Sequence, residues 1–547
     1  MMVSSSRMGT SLHRRTSNGE IRGWLSSEVW ADLPPTFFDD PIFSLQRMGG
    51  KVVKESIWRW AALMSLPTGQ RVFLKKDRSK GWAEYLKYLV FSSRGKREFL
   101  IASELERKGL SIPKPLGWME RVRRGLIRES FYFSEAIGDG VSLIEDAAKS
   151  RTPRVIRELA LAVKRFQEEG LFHRDLHGGN FLWEGDSLFL TDYHRSKIVR
   201  SLSWRRRLWN LSYLFHSLRA TWGEEEHLQF LSHYFGERWN GSQPREILHQ
   251  KIYPVMQRLQ RRQWRSRTKR CLKESTDFAV QEEKGIRYFH RRDFPLDRLK
   301  KVMEAHRTLV RQRPLSLIKF SPEVIVSILD DGREKICVKQ LCHPHFWGWM
   351  KDNFRGSKGR KAWVAANGIR ARGLPSLKPL ALAEGRKWFG SKETFLLMDA
   401  AASDQEMDRY VLKGFQGLDR KRLFIKTSAR WLCGLHRMGL YHKDMKTCNI
   451  LVFERGESWD FHLLDFEDVF LDKKVNRRKL FRNLLQLNTS TPKLMTKADR
   501  LRFFKEYLRC NPIVRDPKVF LGRLMEESRR RGLVYVSPQG VVKEAMR

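Results

Sequence analysis

The stretch that decides the fold is Gly170–Leu182, GLFHRDLHGGNFL, read beside Gly439–Leu451, GLYHKDMKTCNIL. Both carry His-[Arg/Lys]-Asp, and in both an Asn follows the Asp at the same spacing: Asp175 with Asn180, and Asp444 with Asn449. A loop that offers an acid and then an amide, twice in one chain, indicates internal duplication, which has to be resolved before anything else in a long sequence.

Working outward, the likeness continues in both directions. Val72–Lys76 (VFLKK) matches Cys337–Gln340 (CVKQ), and Lys108–Trp118 (KGLSIPKPLGW) matches Arg372–Leu382 (RGLPSLKPLAL). One constant offset puts Lys75 on Lys339 and Gly109 on Gly373. Downstream, Leu188–Tyr193 (LFLTDY) matches His462–Phe466 (HLLDF), and Leu208–Leu211 (LWNL) matches Phe481–Leu484 (FRNL), so Asp192 falls on Asp465. Matching blocks in the same order predict two copies of one domain, at 45–257 and 315–547. That leaves an N-terminal extension, 1–44, and a basic connector, 258–314. Within the connector, Leu296–Val310 has helical apolar spacing. It reads either as a solvated amphipathic helix or as a contact surface for anionic lipid or sugar phosphate.

Each copy reads the same way. A strand carries the lysine, and a helix follows that stops near Gly109 in the first copy, where a glycine suits the C-terminal cap. More strands come next (RESFYFSEAI; ETFLLMDAA), then helices over Val155–Gly170 and Arg422–Gly439 that lead straight into the His-x-Asp loops. Helix resumes at about Trp204 and Arg477. The fold class is α+β, a small sheet part followed by a larger helical part, twice.

Composition narrows the function. The 547 residues are 41% hydrophobic and 31% charged, which fits globular domains rather than a disordered chain. Lys and Arg number 105 against 62 Asp and Glu, a formal net charge of +43. Such a surface attracts polyanions: nucleic acid, an anionic leaflet or a phosphate-rich substrate. The six cysteines are scattered without a C-x-x-C pair, which argues against a cysteine metal site and for a reducing compartment. The N-terminal stretch MMVSSSRMGTSLHRRTSNGEIRGW has no apolar run of the kind a secretory signal needs, and no segment is apolar enough for a membrane span. A cytoplasmic protein is expected.

Phosphoryl transfer needs a cation on the phosphates, a carboxylate at the acceptor hydroxyl and hard oxygen ligands for a metal. The residues quoted supply such a set, and they resemble the protein-kinase-like superfamily. The resemblance implies a bilobal fold in each copy, with a β-rich N-lobe and a larger helical C-lobe. It implies Asp175 and Asp444 as catalytic carboxylates, and Asn180, Asp192, Asn449 and Asp465 as Mg2+ ligands, with Mn2+ as an alternative ion. Lys75 and Lys339 would hold the ATP phosphates, Glu98 would pair with Lys75, and His177 and Lys446 would lie at the nucleotide. The constant offset puts Ala362 where the first copy has Glu98, so Lys339 is left unpaired or served by an acid from elsewhere. The glycine-rich phosphate loop is reduced to Gly49-Gly50 in the first copy and is missing from LIKFSPEVIVS in the second.

No Ala-Pro-Glu follows Asp192 or Asp465, so the long segment on which protein kinases seat a peptide is not expected. Over most of both copies the sequence is most similar to the lipopolysaccharide kinase family, the Kdo and heptose kinases. That resemblance implies ATP-dependent phosphorylation of an inner-core sugar on a lipid A–core glycolipid. It also implies peripheral work at the cytoplasmic face of the bacterial inner membrane, with nucleic acid not expected as a partner. The alternatives are an atypical serine/threonine protein kinase and a membrane- or nucleic-acid-binding pseudokinase scaffold.

Overall fold

The computed structural model describes residues 9–16, 19–56, 58–79, 81–138, 140–185, 187–236, 243–312, 314–342, 357–385, 393–400 and 406–546. Residues 1–8 and 17–18 of the stretch read for a signal lie outside them. The chain forms two compact units, Met1–Gln260 and Arg261–Arg547.

The first unit is built on a seven-stranded antiparallel sheet of β1 (Gly9–Thr16), β2 (Gly19–Ser26), β3 (Lys51–Glu55), β4 (Arg59–Ser65), β5 (Arg71–Arg78), β6 (Pro115–Arg123) and β7 (Leu126–Glu135). Their spatial order is β1-β2-β6-β7-β5-β4-β3. Alternation gives β5 two faces. Val72 and Leu74 enter a core with Leu25, Phe37, Leu45, Met119 and Phe133, roofed by the short helices Ser27–Asp32 and Pro41–Arg47. Lys75 points the other way, towards the helix Arg94–Arg107.

That helix begins at Ser93, whose hydroxyl accepts from the Lys96 amide at 3.3 Å, and it ends before Gly109, at φ 65°. Phe99, Ala102 and Leu105 bury its apolar stripe. Gly95 lets its first turn lie on the sheet: a β-carbon there would run into the Phe131 carbonyl. The helical part follows, with Pro153–Glu168 at its centre, burying Val155, Ile156, Leu159 and Val163. The helix Trp204–Leu218 lies beyond the His-x-Asp loop.

The second unit repeats the strand order. Its sheet runs Phe278–Glu283, Ile286–Arg291, Pro379–Gly385, Glu393–Asp399, Lys335–Cys342, Val324–Asp330 and Lys319–Phe320. Lys339 sits on the strand that matches β5, between Val326 and Leu396. The helix Lys358–Arg370 is capped by Ser357, which accepts from Arg360 N at 2.9 Å, and Gly359 takes the place of Gly95, with Thr394 where a β-carbon would go. The long helix Leu418–Arg437 leads into the second His-x-Asp loop, and Arg477–Ser490 follows.

The division differs from the sequence expectation at two places. The expected extension 1–44 supplies β1 and β2, and β2 pairs with β6. The expected connector 258–314 supplies the matching hairpin, Phe278–Glu283 with Ile286–Arg291, which pairs with Pro379–Gly385. Its amphipathic helix, Leu296–Gln312, buries Leu299, Val302 and Met303 against Ile336, Val338 and Leu397. The apolar stripe is core, so it is not a lipid-facing surface. Edge hairpins need only alternation to join a sheet, and their sequences drift freely, which hid the correspondence. The basic run Arg258–Arg270 lies largely in the helix Tyr253–Thr268.

Candidate active sites

In the first unit Lys75 Nζ donates to Glu98 Oε1 at 2.6 Å and lies 3.4 Å from Asp192 Oδ1. Glu98 is only 2% exposed. Burial alone would lower the Lys75 pKa, but the two carboxylates outweigh it and hold it above the usual lysine value, so Lys75 keeps its proton. Burial would raise the Asp192 carboxyl; Lys75 and a hydrogen bond from His194 instead hold it well below the usual carboxylate range. Donor atoms of Glu98, Asp192 and His194 all lie within 4.8 Å of one another, and the Lys75 ammonium balances the two carboxylates among them.

His194 Nδ1 faces the Asp192 carboxylate, which can only accept, and Nε2 faces Arg59 Nη2 at 3.0 Å, which can only donate. The ring proton therefore belongs on Nδ1. Asp192 itself sits at φ 66°, in the left-handed region that Asp tolerates better than most side chains. This turn carries it out of the strand Ser187–Leu190 and back towards Lys75.

The His-x-Asp loop is fixed by its own hydrogen bonds. His173 is 1% exposed; its Nε2 meets the Asp192 carbonyl at 3.0 Å, and its Nδ1 accepts from the Asp175 amide at 3.2 Å. Nε2 therefore carries the proton, and burial depresses this imidazole to about 4. Asn210, from the helix Trp204–Leu218, donates to the His173 carbonyl. Asn180 Nδ2 donates to the Asp175 carbonyl at 3.0 Å, which leaves the amide oxygen as its remaining donor atom. Arg195 Nη1 donates to Asp175 Oδ2 at 3.1 Å.

Asp175, His177 and Asp192 open into one cleft of about 980 Å³. Burial lowers the His177 imidazole pKa. The rim is basic: Lys54, Arg59, Arg94, Arg97, Arg174 and Lys197 all line it. Lys54, near the end of β3, and Arg59, at the start of β4, line it, whereas Gly49-Gly50, just before β3, do not.

The second unit assembles the same parts with one exchange. Lys339 Nζ donates to Asp465 Oδ1 at 2.8 Å and to Glu467 Oε1 at 2.6 Å. Burial would lower the lysine pKa; Glu467 and Asp465 raise it, and Lys339 in turn holds the Asp465 carboxyl below its usual range against burial. Ala362 is fully buried where Glu98 would stand. Glu467 occupies the position of His194, two residues beyond Asp465, so the acid missing from the helix is present on the loop.

The remaining contacts repeat: Asp465 at φ 47°, Asp444 N to His442 Nδ1 at 3.1 Å, Asn449 Nδ2 to the Asp444 carbonyl at 2.8 Å, and Asn483 Nδ2 to the His442 carbonyl at 2.6 Å. Asp444 meets Lys446 Nζ at 3.0 Å and Gln486 Nε2 at 3.3 Å, taking the place of the Arg195 contact. The structure brings Lys75, Glu98 and Asp192 together, joins Asp175 to Asn180, and puts His177 in the same cleft as Asp175 and Asp192; in the second unit it pairs Lys339 with Asp465 and Asp444 with Asn449 and Lys446. It adds His194, Arg195, Glu467 and Gln486. Of these, Glu467 had a signal in the sequence, an acid two residues after Asp465.

Among the described residues no helix is long and apolar enough to cross a membrane. A solved structure of WaaP in complex with acyl carrier protein aligns over 41% of this chain and 95% of that one, at 20% identity and a TM-score of 0.30. The 3-deoxy-D-manno-octulosonic acid kinase of Xanthomonas campestris pv. campestris (strain B100) is 29% identical over 190 residues, 33% of this chain and 75% of that protein. Its counterpart in Stenotrophomonas maltophilia (strain R551-3) is 32% identical over 129 residues, 23% of this chain and 51% of the other. The model of the lipopolysaccharide kinase (Kdo/WaaP) family matches residues 46–234 and again 356–507, more than half of the sequence and both His-x-Asp loops. The chain belongs to the lipopolysaccharide kinase (Kdo/WaaP) family and is a phosphotransferase.

Proposed function

We propose that the protein transfers the γ-phosphate of ATP to a hydroxyl of a lipopolysaccharide inner-core sugar, Kdo or heptose, and that it arose by duplication of one kinase domain. The observation that carries this reading is the pairing, in each unit, of a half-buried lysine with the aspartate that follows the His-x-Asp…Asn loop, at 3.4 Å in the first and 2.8 Å in the second. The relatives named as 3-deoxy-D-manno-octulosonic acid kinases support the sugar acceptor.

In the first unit Lys75, held by Glu98, binds the α- and β-phosphates. Asp175, steadied by Arg195, receives the acceptor hydroxyl and takes its proton as the hydroxyl oxygen bonds to the γ-phosphorus and the bond to the β–γ bridging oxygen breaks, releasing ADP. Asp192 and the Asn180 amide oxygen are the hard oxygen donors that Mg2+ prefers. The commitment of the Asn180 amide nitrogen to the Asp175 carbonyl fits them to that ion. When bound, Mg2+ neutralises phosphate charge that builds up during transfer. His177 lies at the nucleotide side of the cleft. The basic rim suits ATP together with an anionic acceptor.

In the second unit Lys339, Asp444, Asn449 and Asp465 take the same roles. Lys446, beside Asp444, sits near the transferred phosphate. The excess of positive charge suits work at an anionic leaflet, as a peripheral protein at the cytoplasmic face of the inner membrane.

The test is transfer of radiolabel from ATP to purified core glycolipid, with casein as the control acceptor. Label on the glycolipid and none on casein is expected. Label on casein alone would replace the proposal with a protein kinase.

A further inference from the structure

The first unit carries an apolar surface that neither its core nor its chemistry uses. The helix Trp82–Val90, WAEYLKYLV, lies between β5 and the helix Arg94–Arg107. Its polar side holds it to the protein. Glu84 pairs with Arg94, the Tyr85 hydroxyl accepts from Arg128 Nη1 at 2.7 Å, and the Arg128 guanidinium lies 4.5 Å from the Tyr85 ring centre. Tyr88 is half-buried on the same side.

The outward side is apolar. Trp82, Leu86, Leu89, Val90 and the capping Phe91 are 76%, 61%, 65%, 78% and 63% exposed. Helical spacing puts the first four on one stripe roughly 100° wide. A surface helix of a soluble domain normally turns this stripe inward; here it faces out. Among the described residues no other ten-residue stretch exposes as many large apolar side chains.

Cations stand directly beside the stripe. Lys87 follows Leu86, and Lys87, Tyr88, Phe91, Arg94 and Arg97 line the cleft that Asp175 and Asp192 open into. An apolar stripe bordered by lysine and arginine is the arrangement of a helix that lies in a bilayer interface, with its side chains among the acyl chains and its cations at the phosphates.

We infer that the Trp82–Phe91 face docks on an anionic lipid bilayer, setting the mouth of the first cleft at the level of the headgroups. Resting on the proposed function, this explains how a sugar fixed to a lipid meets the site: the enzyme comes to the surface, and the lipid stays in it.

The experiment is cosedimentation of the full-length protein with vesicles of phosphatidylglycerol mixed into phosphatidylcholine, and with vesicles of phosphatidylcholine alone. The wild type should bind the mixed vesicles far better. The double variant Leu86→Ser/Leu89→Ser should bind at least about tenfold less, because removing each leucine from an apolar surrounding is worth about a decade or more. Trp82→Ser/Val90→Ser should behave alike, and Leu315→Ser, a fully exposed leucine elsewhere, should change nothing. Phosphotransfer to a water-soluble, deacylated core sugar is measured in parallel, and both double variants should retain it.

A wild type that ignores anionic vesicles overturns the inference, as do double variants that bind like the wild type. So does a wild-type dimer that the variants disperse while vesicle binding stays the same, since the face would then belong to a second copy of the chain. Loss of soluble activity and of melting temperature in both double variants would assign the face to folding and overturn it too. Docking without sugar phosphorylation would sink the proposed function and leave the inference standing; phosphorylation without docking would do the reverse.

Discussion

On the proposed function, Glu467→Ala is expected to cripple phosphotransfer by the second unit. The substitution leaves Lys339 with one carboxylate, Asp465, which is also the residue proposed to hold the metal. The Lys339 and Glu467 side chains are 12% and 20% exposed, so solvent screens the pair only weakly. A hydrogen bond between charged groups contributes about 1.5–3 kcal/mol. Taking about 2 kcal/mol, kcat/KM for ATP should fall roughly 30-fold. Most of the loss should appear in KM, because the lysine grips phosphates that do not react. The Mg2+ concentration needed for half-maximal rate should rise as well, because Lys339 now leans on Asp465 alone. The assay is labelled phosphate transfer by full-length Asp175→Ala protein, in which the first unit's carboxylate is gone, with and without Glu467→Ala. A converse test moves the acid in the first unit: in an Asp444→Ala background, His194→Glu should restore much of what Glu98→Ala loses. If Glu467→Ala leaves KM for ATP, kcat and the Mg2+ requirement within about twofold, the relocated acid does not position the lysine, and the argument built on Ala362 fails.

Three further outcomes are expected. Asp175→Ala and Asp444→Ala should each remove one unit's contribution by about 10²–10⁴-fold and together abolish transfer, measured by glycolipid labelling, while melting curves stay close to wild type. Gly95→Ala should force the helix away from Phe131, lengthen the Lys75–Glu98 contact and lower both first-unit activity and melting temperature; an unchanged melting curve would contradict the close approach. The third concerns acid stability of the second unit. Burial depresses the His436 imidazole from its ordinary 6.5 to about 4, and the ring is held between the Tyr507 hydroxyl at 2.6 Å and Asn483 Oδ1 at 3.1 Å. Between those two values the unfolded chain takes up a proton that the folded one refuses. Stability should therefore fall as pH drops through this window, by up to about 3 kcal/mol, with no contribution to the slope above it. His436→Gln should lower stability at neutral pH and flatten the slope between pH 6.5 and 4, read from melting temperatures.

Local motifs carried much of both sites. Lys75, Asp175, Asn180 and Asp192, with their counterparts, sit in short patterned stretches whose order and offset fix one another. The helices Pro153–Glu168 and Leu418–Arg437 declared themselves by apolar period, and both stand within a few residues of the expected spans. What escaped was long-range. β2 pairs with β6 across nearly a hundred residues, and nothing in an alternating hairpin names its partner. The left-handed turns at Asp192 and Asp465 leave no mark beyond an aspartate. The exchange of Glu98 for Glu467 was invisible because the two acids reach one lysine from different elements. Only the geometry shows that Ala362 costs the second site no charge.

The glycines at the first turn of the helices after the lysine strands have a consequence for control. At Gly95 backbone rests directly on backbone, and at Gly359 the backbone meets the Thr394 side chain with no β-carbon between. A helix seated so closely cannot roll or slide as a lever without peeling off its sheet. In the first unit this helix carries Glu98, the carboxylate partner of Lys75, and in the second the partner, Glu467, does not ride on the helix at all. Among the described residues, then, the acid that holds the lysine rests in one unit on a helix pressed against its sheet and in the other on the loop after Asp465, so in neither does the pairing depend on a helix free to roll.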